Sequence, residues 1–214
     1  MQHIRAATEA DLPILRDIED ATGAPFAAVG MTEVAEDEAP SLEQLRGFAV
    51  AGRAWVWADD HDRPVGYLIL GIVDGLAHID QVSVHPDHAG RRIGARLIAH
   101  AARWALDHGM DAITLTTFTE VAWNGPYYER LGFRRIPDAD LSEQMRAVRA
   151  AEAAHGLDRW PRAAMSAPPA VVIDSARVVV AGSVAADGSA TGDPGAERED
   201  RGSAVGGECG FGGR

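Results

Sequence analysis

The residues best placed to do chemistry lie in the stretch HPDHAGRRIGARLI, residues 85–98. A proline that can end a strand is followed by two spaced glycines among arginines, and then by apolar residues at helical spacing. Unpaired N–H groups and roughly half a positive charge collect at the start of a helix, so the pattern predicts a site for a phosphate-like anion. Gly90 and Gly94 allow the main chain to approach a bulky pyrophosphate, and Arg91 and Arg92 add positive charge.

Two common nucleotide-binding loops do not match this stretch. The P-loop pattern GxxxxGK(S/T) requires a lysine and a hydroxyl residue, and the dinucleotide-binding pattern is GxGxxG. Neither pattern occurs in residues 85–98, so a nucleoside triphosphate and NAD are both disfavoured as ligands. The apolar stretches before the loop predict adjacent antiparallel strands rather than the parallel βαβ opening of a dinucleotide-binding fold.

Hydrophobic periodicity predicts the elements that position the loop. Helices are predicted at TEADLPILRDIEDA, SLEQLRGFAV, residues 92–108, WNGPYYERLG and ADLSEQMRAVRAAEAAHG. Strands are predicted at HIRAA, RAWVWAD, PVGYLILGIV, GLAHIDQVSV, DAITLTTF, FRRI and RAAMS. Thr8 is the predicted N-cap of the first helix, with Asp11 at its third position, and Ser41 is the predicted N-cap of the second. Gly109 is placed to end the long helix after the loop.

Length, composition and charge narrow the class of protein. The 214 residues are 46% hydrophobic, which suits one domain with a sizeable core, and no apolar run reaches the roughly 18 to 20 residues of a membrane span. The first residues lack the apolar stretch of a secretory signal, so we expect a cytoplasmic protein with no membrane partner. A single cysteine, Cys209, cannot build an internal disulfide framework. The net charge of −12 disfavours nucleic acid as a partner, because phosphate binding needs clustered cations.

The composition of the chain changes after Ser166. Residues 1–166 are therefore expected to form the domain, and residues 167–182, which keep β-branched side chains, an extra strand or a linker. Residues 183–214 are rich in glycine and poor in large apolar side chains, which cannot offset the entropy lost on ordering. We expect a disordered tail there.

Two motifs together resemble the GNAT superfamily of acyl-CoA-dependent N-acetyltransferases. VSVHPDHAGRRIGARLI is similar to the family's strand and pyrophosphate loop, and WNGPYYERLGF is similar to its second motif, which ends in YxxxGF. The order of strand, loop, long helix, strand and tyrosine-bearing helix also agrees, and the likeness covers residues 2–166. The family's loop pattern, Q/R-x-x-G-x-G/A, departs here at Ala89, which replaces the polar residue, and at Arg92, which replaces the first glycine. We expect Gly90 to take over the unusual backbone angles of that glycine.

The resemblance implies an α+β protein with a central mixed, largely antiparallel, twisted sheet of six to seven strands flanked by helices. It implies transfer of an acetyl group from acetyl-CoA to a primary amine by direct attack, with the pantetheine between two splayed strands, GLAHIDQVSV and DAITLTTF. The residues implied for cofactor binding are Val82, Ser83, Val84, Ala89, Gly90, Arg91, Arg92, Ile93, Gly94, Ala95 and Asn124. Tyr128 is the implied general acid toward the CoA sulfur.

Asp80 is our candidate general base, because a carboxylate on the strand that enters the site can take the amine proton directly or through water. Asn124 precedes Tyr128 by four residues, so the two share a helical face if the helix already includes Asn124. Asp87 between His85 and His88 suggests a metal site, but histidines in surface turns are commoner, and we expect no metal.

The acceptor is a small-molecule amine or an amino-acid-like compound in our first interpretation, ahead of a protein amino terminus. The connection between the first two helices carries Glu33, Glu36, Asp37 and Glu38, and an acidic wall favours a cationic amine. A merely solvated acidic loop is the alternative interpretation. The alternative function is a catalytically silent acyl-CoA-binding sensor or interaction module, and the sequence leaves a homodimer open.

Overall fold

Seven strands form one mixed sheet in the computed structural model, which describes residues 2–187. The strands are β1 His3–Ala6, β2 Ala54–Ala58, β3 Pro64–Val73, β4 Leu76–Val84, β5 Ile113–Phe118, β6 Arg134–Arg135 and β7 Arg162–Ala167. Their order across the sheet is β1-β2-β3-β4-β5-β7-β6. Only β4 and β5 pair in parallel, and the other neighbours are antiparallel. The predicted strands and the largely antiparallel sheet are confirmed.

Helices cover both faces of the sheet. They are α1 Leu12–Thr22, α2 Ala24–Ala28, α3 Thr32–Ala35, α4 Leu42–Val50, α5 Ile93–Asp107, α6 Gly125–Arg130, α7 Glu143–Ala154 and α8 Pro169–Asp187. Helices α5, α6 and α8 share the largest buried cluster with one side of the sheet, called the α5 face below. Helices α1 and α4 pack on the opposite side, the α1 face. Within residues 2–187, no helix is both long enough and apolar enough to cross a membrane.

Helix α5 forms as its apolar repeat predicts. Ile93, Leu97, Ala101 and Ala105 recur every four residues and are all buried against the sheet. The helix ends at Asp107, and Gly109 follows with a φ of +69°, a left-handed conformation that suits a helix end.

Helix α1 begins later than predicted, with Asp11 rather than Thr8 at the N-cap position. The Asp11 carboxylate accepts hydrogen bonds from the backbone and hydroxyl of Thr8 and pairs with Arg5 at 2.7 Å. These contacts hold the segment before α1 as a turn. Ser41 caps α4 as predicted, in a capping box with Gln44.

The segment after Ser166 differs from the prediction of an extra strand or linker over residues 167–182. Its β-branched stretch forms helix α8, which runs from Pro169 to Asp187 and so also includes residues 183–187 of the predicted tail. Val172, Ile173 and Ala176 lie at helical spacing and are buried against α5, so tertiary packing overrides the strand propensity of the valines. The rest of the predicted tail, residues 188–214, lies outside the described residues.

Candidate active site

An opening lies between the carboxyl-terminal halves of β4 and β5. The two strands pair only at Ala77, His78 and Ile79 of β4, although β4 continues to Val84 and β5 continues past its own last paired residue to Phe118. This is the splayed pair of strands that the resemblance implied. The remaining residues of β4 carry main-chain groups on this side that β5 does not pair.

Val82 and Val84 direct their main-chain groups into this opening. The His85 N–H donates to the Val65 carbonyl on β3 at 2.9 Å, and alternate residues of an antiparallel strand face the same neighbour. Ser83 therefore pairs its main chain with β3, whereas Val82 and Val84 face β5. The prediction of main-chain ligands at Val82 and Val84 agrees with this geometry.

Ser83 does not face the opening, contrary to its inclusion among the cofactor-binding residues. Its hydroxyl donates to Glu19 Oε2 at 2.7 Å on the α1 face and accepts from Gln81 Nε2 at 2.9 Å. The reason is the alternation of β4, in which Val82 and Val84 join the core of the α5 face.

The loop between β4 and α5 turns through two left-handed residues. A short 3₁₀ turn spans Pro86–His88, Gly90 has a φ of +75°, and Arg92, immediately before α5, has φ 60° and ψ 28°. The prediction that Gly90 adopts the unusual backbone angles in place of Arg92 is wrong, because the chain is left-handed at both positions. The Arg92 side chain does not cap α5, so the helix start is not closed by its own N-cap side chain.

The remaining loop residues have different exposures. Ile93, Gly94 and Ala95 are buried in the first turn of α5, Ala89 is half-buried and Arg91 is exposed. Only the backbone of the buried residues can therefore serve an anion, whereas the Arg91 side chain is accessible from solvent.

Polar side chains without hydrogen-bond partners among the described residues lie beside the opening. The Asn124 side chain is fully buried, yet neither its amide nitrogen nor its oxygen has a partner there. Thr117 lies on the diverging half of β5, and its buried hydroxyl also has no partner among the described residues. Because residues two apart on a strand share a face, Thr117 lies with Leu115 on the α5 face. Buried polar groups are rarely left unpaired, so both side chains point to a ligand. Asn124 precedes α6 as its N-cap residue rather than lying within it as we considered.

Tyr128 lies on α6, on the α5 face of the sheet. Its side chain is 2% exposed, and its ring meets those of Tyr127 and Phe133 edge to face, with centroids 5.5 and 5.9 Å apart. The helix brings Tyr128 and Asn124 together, since the Tyr128 N–H donates to the Asn124 carbonyl at 2.9 Å. The motif thus places in one short segment a phenol and an amide that no described residue pairs.

Asp80 lies at a β-bulge next to the opening. Ile69 pairs with Gln81 and Leu70 with Ile79, so Asp80 has no opposite residue on β3. Its carboxylate lies over Gly71, where a Cβ would overlap Oδ2 and lie 3.1 Å from Cγ. Leu70 packs in the core of the α5 face, so alternation along β3 places the neighbouring Gly71, and the carboxylate over it, on the α1 face.

The environment of Asp80 suits a base. Burial raises the pKa of Asp80 to about 7, although the Gly71 N–H and the charge of Arg53 act in the opposite direction. Its Oδ2 has no hydrogen-bond partner within residues 2–187. A carboxylate with a pKa near neutrality can both accept and release a proton under ordinary conditions.

A second buried carboxylate, Glu19, was missed by the sequence analysis. Tyr67 and Ser83 donate to its Oε2 at 2.8 and 2.7 Å, and Gln81 donates to its Oε1 at 2.8 Å. Burial raises the pKa of Glu19 to about 7 in spite of these three donors. Its spacing from Leu12 and Leu15 on the apolar stripe of α1 is the signal that could have found it.

The acidic side chains of the connection between α1 and α4 lie at the surface, which agrees with the solvated-loop interpretation. Glu33 is paired with Arg159, and Glu36, Asp37 and Glu38 are exposed.

His85 accepts from the Asp87 backbone at 3.3 Å. Across the described part of the chain, no three or more His, Cys, Asp or Glu side chains form a group that could hold a metal ion.

The family model described as "Acetyltransferase (GNAT) family" matches residues 15–133, from α1 to the end of the tyrosine motif and more than half of the chain. The chain belongs to the GNAT acetyltransferase family. It is therefore an acyltransferase by family. The matched residues include both motifs that resemble the GNAT family, the loop between β4 and α5 and the segment that carries Tyr128.

Solved structures of GNAT proteins share the fold. A GNAT acetyltransferase from Staphylococcus aureus has a TM-score of 0.57 at 16% identity, over 79% of this chain and 99% of that one. The PaiA N-acetyltransferase of Thermoplasma acidophilum, in complex with coenzyme A, has a TM-score of 0.59 at 16% identity, over 78% and 99%. The ribosomal-protein-S18-alanine N-acetyltransferase of Escherichia coli has a TM-score of 0.56 at 17% identity, over 78% and 94%.

Proposed function

We propose that this GNAT protein transfers the acetyl group of acetyl-CoA to the primary amine of a small-molecule acceptor by direct attack. The observation that carries the proposal is the fully buried amide of Asn124, which has no hydrogen-bond partner among residues 2–187, beside an opening toward which Val82 and Val84 direct main-chain groups. A pantetheine arm is a chain of amides, so it offers partners to all three. The complex of the PaiA enzyme with coenzyme A supports the same cosubstrate.

The residues present fit a CoA diphosphate as well. Gly90 has open space where a Cβ would be, α5 is 15 residues long, and Arg91 is exposed at the rim of the loop. Backbone N–H groups of the first turn of α5, with the helix dipole behind them, would hold the anion. The substitution of Arg92 for glycine leaves the left-handed conformation in place, so the loop keeps its shape.

Asp80 and Tyr128 have complementary roles in the proposed reaction. Asp80, with Oδ2 unpartnered among the described residues, takes a proton from the acceptor ammonium, directly or through water, and so frees the lone pair that attacks. Tyr128 gives its phenolic proton to the departing thiolate, since a phenol with an ordinary pKa near 10 is protonated at neutral pH. The Val82 N–H is a donor for the thioester oxygen, where negative charge develops.

Replacing Tyr128 by phenylalanine tests this assignment. We expect kcat to fall by roughly 10²–10³, the usual contribution of a general acid, while the Kd of CoA measured by calorimetry stays nearly constant. Tyr127→Phe is the matched control, because it removes a neighbouring buried phenol and should keep full turnover. Unchanged turnover in Tyr128→Phe would remove the proton-donor role. Binding of CoA without turnover of any amine by the unaltered protein would favour the acyl-CoA sensor instead.

A further inference from the structure

A cavity of about 310 Å³ lies at the carboxyl-terminal end of β5, outside the CoA opening. Val29 and Met31, from the connection after α1, form one side of it, and Phe118, Trp123 and Trp160 form the others. Glu120 is the carboxylate at this cavity, and no basic side chain lines it in the described part of the chain.

Packed aromatic rings shape the cavity in advance of any ligand. The Phe26 ring meets those of Phe118 and Trp123 edge to face, with centroids 5.9 and 5.8 Å apart, and Phe118 meets Trp160 at 6.2 Å. The ion pair between Glu33 and Arg159 joins the α3 side to the segment that precedes Trp160. A preformed apolar cavity binds a ligand without first paying an ordering cost.

The cavity lies on the same side of the sheet as the proposed base. Phe118 alternates with Leu115 and Thr117, so its ring lies on the α1 face, where the carboxylate of Asp80 also lies. Asp80 follows the last paired residue of β4, and Phe118 ends the β5 half that diverges from it. Trp123 immediately precedes Asn124, so one short segment supplies both a wall of the cavity and the buried amide proposed as a cofactor ligand.

Two features of the wall select the chemistry of the occupant. Val29 is 53% exposed at the cavity, an apolar side chain left in contact with solvent. Glu120 is exposed, so it attracts a cation but repels a carboxylate, and within residues 2–187 no arginine lines the cavity to offset that repulsion.

We propose that this cavity is the acceptor site, and that it selects primary amines with an apolar, aromatic-sized carbon skeleton and no carboxylate. The inference rests on the proposed N-acetyltransferase function and adds the substrate class. The apolar skeleton packs among Phe118, Trp123 and Trp160, the amine nitrogen is directed toward Asp80, and Glu120 raises the local concentration of the ammonium form.

Paired substrates test the selection. We expect kcat/KM for 2-phenylethylamine to exceed that for phenylalanine, which differs by a carboxylate, and that for ethanolamine, which lacks the ring, by at least about tenfold each. A protein that prefers phenylalanine or ethanolamine would overturn the inference while leaving the N-acetyltransferase function intact. Turnover of none of the three would also overturn the inference, whereas the proposed function fails only if acetyl-CoA binds and no amine of a wider panel is acetylated.

A bulky residue at the cavity supplies the second test. Val29→Trp fills the cavity from an exposed position, so we expect folding and the Kd of CoA to be unchanged and KM for 2-phenylethylamine to rise at least about tenfold. Val50→Trp is the matched control, because Val50 is 83% exposed at the end of α4 and does not line the cavity. Equal KM values in the two variants would place the acceptor elsewhere.

Discussion

Replacing Asp80 by asparagine separates what the ionised carboxylate costs from what it does. Burial raises the pKa of Asp80 from 3.8 to about 7, and Oδ2 has no partner within the described residues. The amide of the variant has nearly the same shape, can accept the same Gly71 N–H and carries no charge. We expect Asp80→Asn to be more stable than the natural protein above neutral pH and to have lost most of its turnover.

The sign and size of the stability change follow from the pKa. Because the folded-state pKa is raised, the unfolded chain ionises first, so the carboxylate destabilises the fold progressively from about pH 4 to pH 7 and fully above it. The rise from 3.8 to about 7 corresponds to roughly 4 kcal/mol. Burying the neutral amide of the variant costs about as much as burying the neutral carboxyl of the natural protein, so the expected gain is roughly 4 kcal/mol above pH 7 and none below pH 4.

Thermal denaturation and a pH–rate profile measure the two effects. At pH 8.5 we expect the Tm of Asp80→Asn to lie about 8–16 °C above that of the natural protein, as a gain of roughly 4 kcal/mol implies for a chain of this size. At pH 4 the two Tm values should coincide. The acidic limb of kcat/KM, expected near pH 7, should disappear in the variant together with roughly 10²–10⁴ of the rate.

Glu19 provides the control for this experiment, because its pKa is also raised to about 7 and it lies on the same face of the sheet. We expect Glu19→Gln to keep the acidic limb of the profile, since Tyr67, Gln81 and Ser83 already engage its carboxylate. If Asp80→Asn kept the limb and Glu19→Gln lost it, the base would be Glu19 and our reasoning would be refuted.

Two further predictions concern the backbone. Arg92→Gly should raise the Tm by about 2–4 °C. The left-handed conformation costs an L-residue ~1–2 kcal/mol, and the additional conformational entropy that glycine loses on folding costs only ~0.5–1 kcal/mol. A lower Tm would show that Arg92 makes a compensating contact. Gly71→Ala should displace the Asp80 carboxylate and lower kcat at least about tenfold with the Kd of CoA unchanged. Gly47→Ala, whose Cβ would have open space, is its control in activity assays, and equal kcat values would contradict the role of Gly71.

The features that the sequence predicts well are those set by local periodicity. Residues 93–107 repeat apolar side chains at helical spacing, which predicts helix α5. The glycines and arginines before them predict an anion-binding loop at the start of that helix. The alternation of β2, β3 and β4 gives the antiparallel strands, and the order of motifs gives the parallel β4–β5 pair only through the family resemblance.

The features that the sequence does not predict depend on register and on distant packing. Asp80 becomes a bulge residue because Leu70 pairs with Ile79 and Ile69 with Gln81, a choice that no local pattern records. The same strand register directs the Ser83 side chain to Glu19, so a residue between the two proposed cofactor ligands faces away from the opening. Helix α8 is a second feature that depends on distant packing. Its valines favour a strand, and packing against α5 stabilises the helix instead.

The residues whose burial or backbone conformation is unfavourable for folding lie around the opening between β4 and β5. Asn124 and Thr117 bury polar atoms without partners in the described part of the chain, Asp80 buries a carboxylate, and Arg92 holds a left-handed backbone without glycine. Each of these destabilises a fold by about 1–4 kcal/mol, and none improves the packing of either core. A ligand that pairs the amide and the hydroxyl, and an anion that engages the loop, would offset these costs together. Saturating CoA should therefore raise the Tm more in the natural protein than in Asn124→Ala.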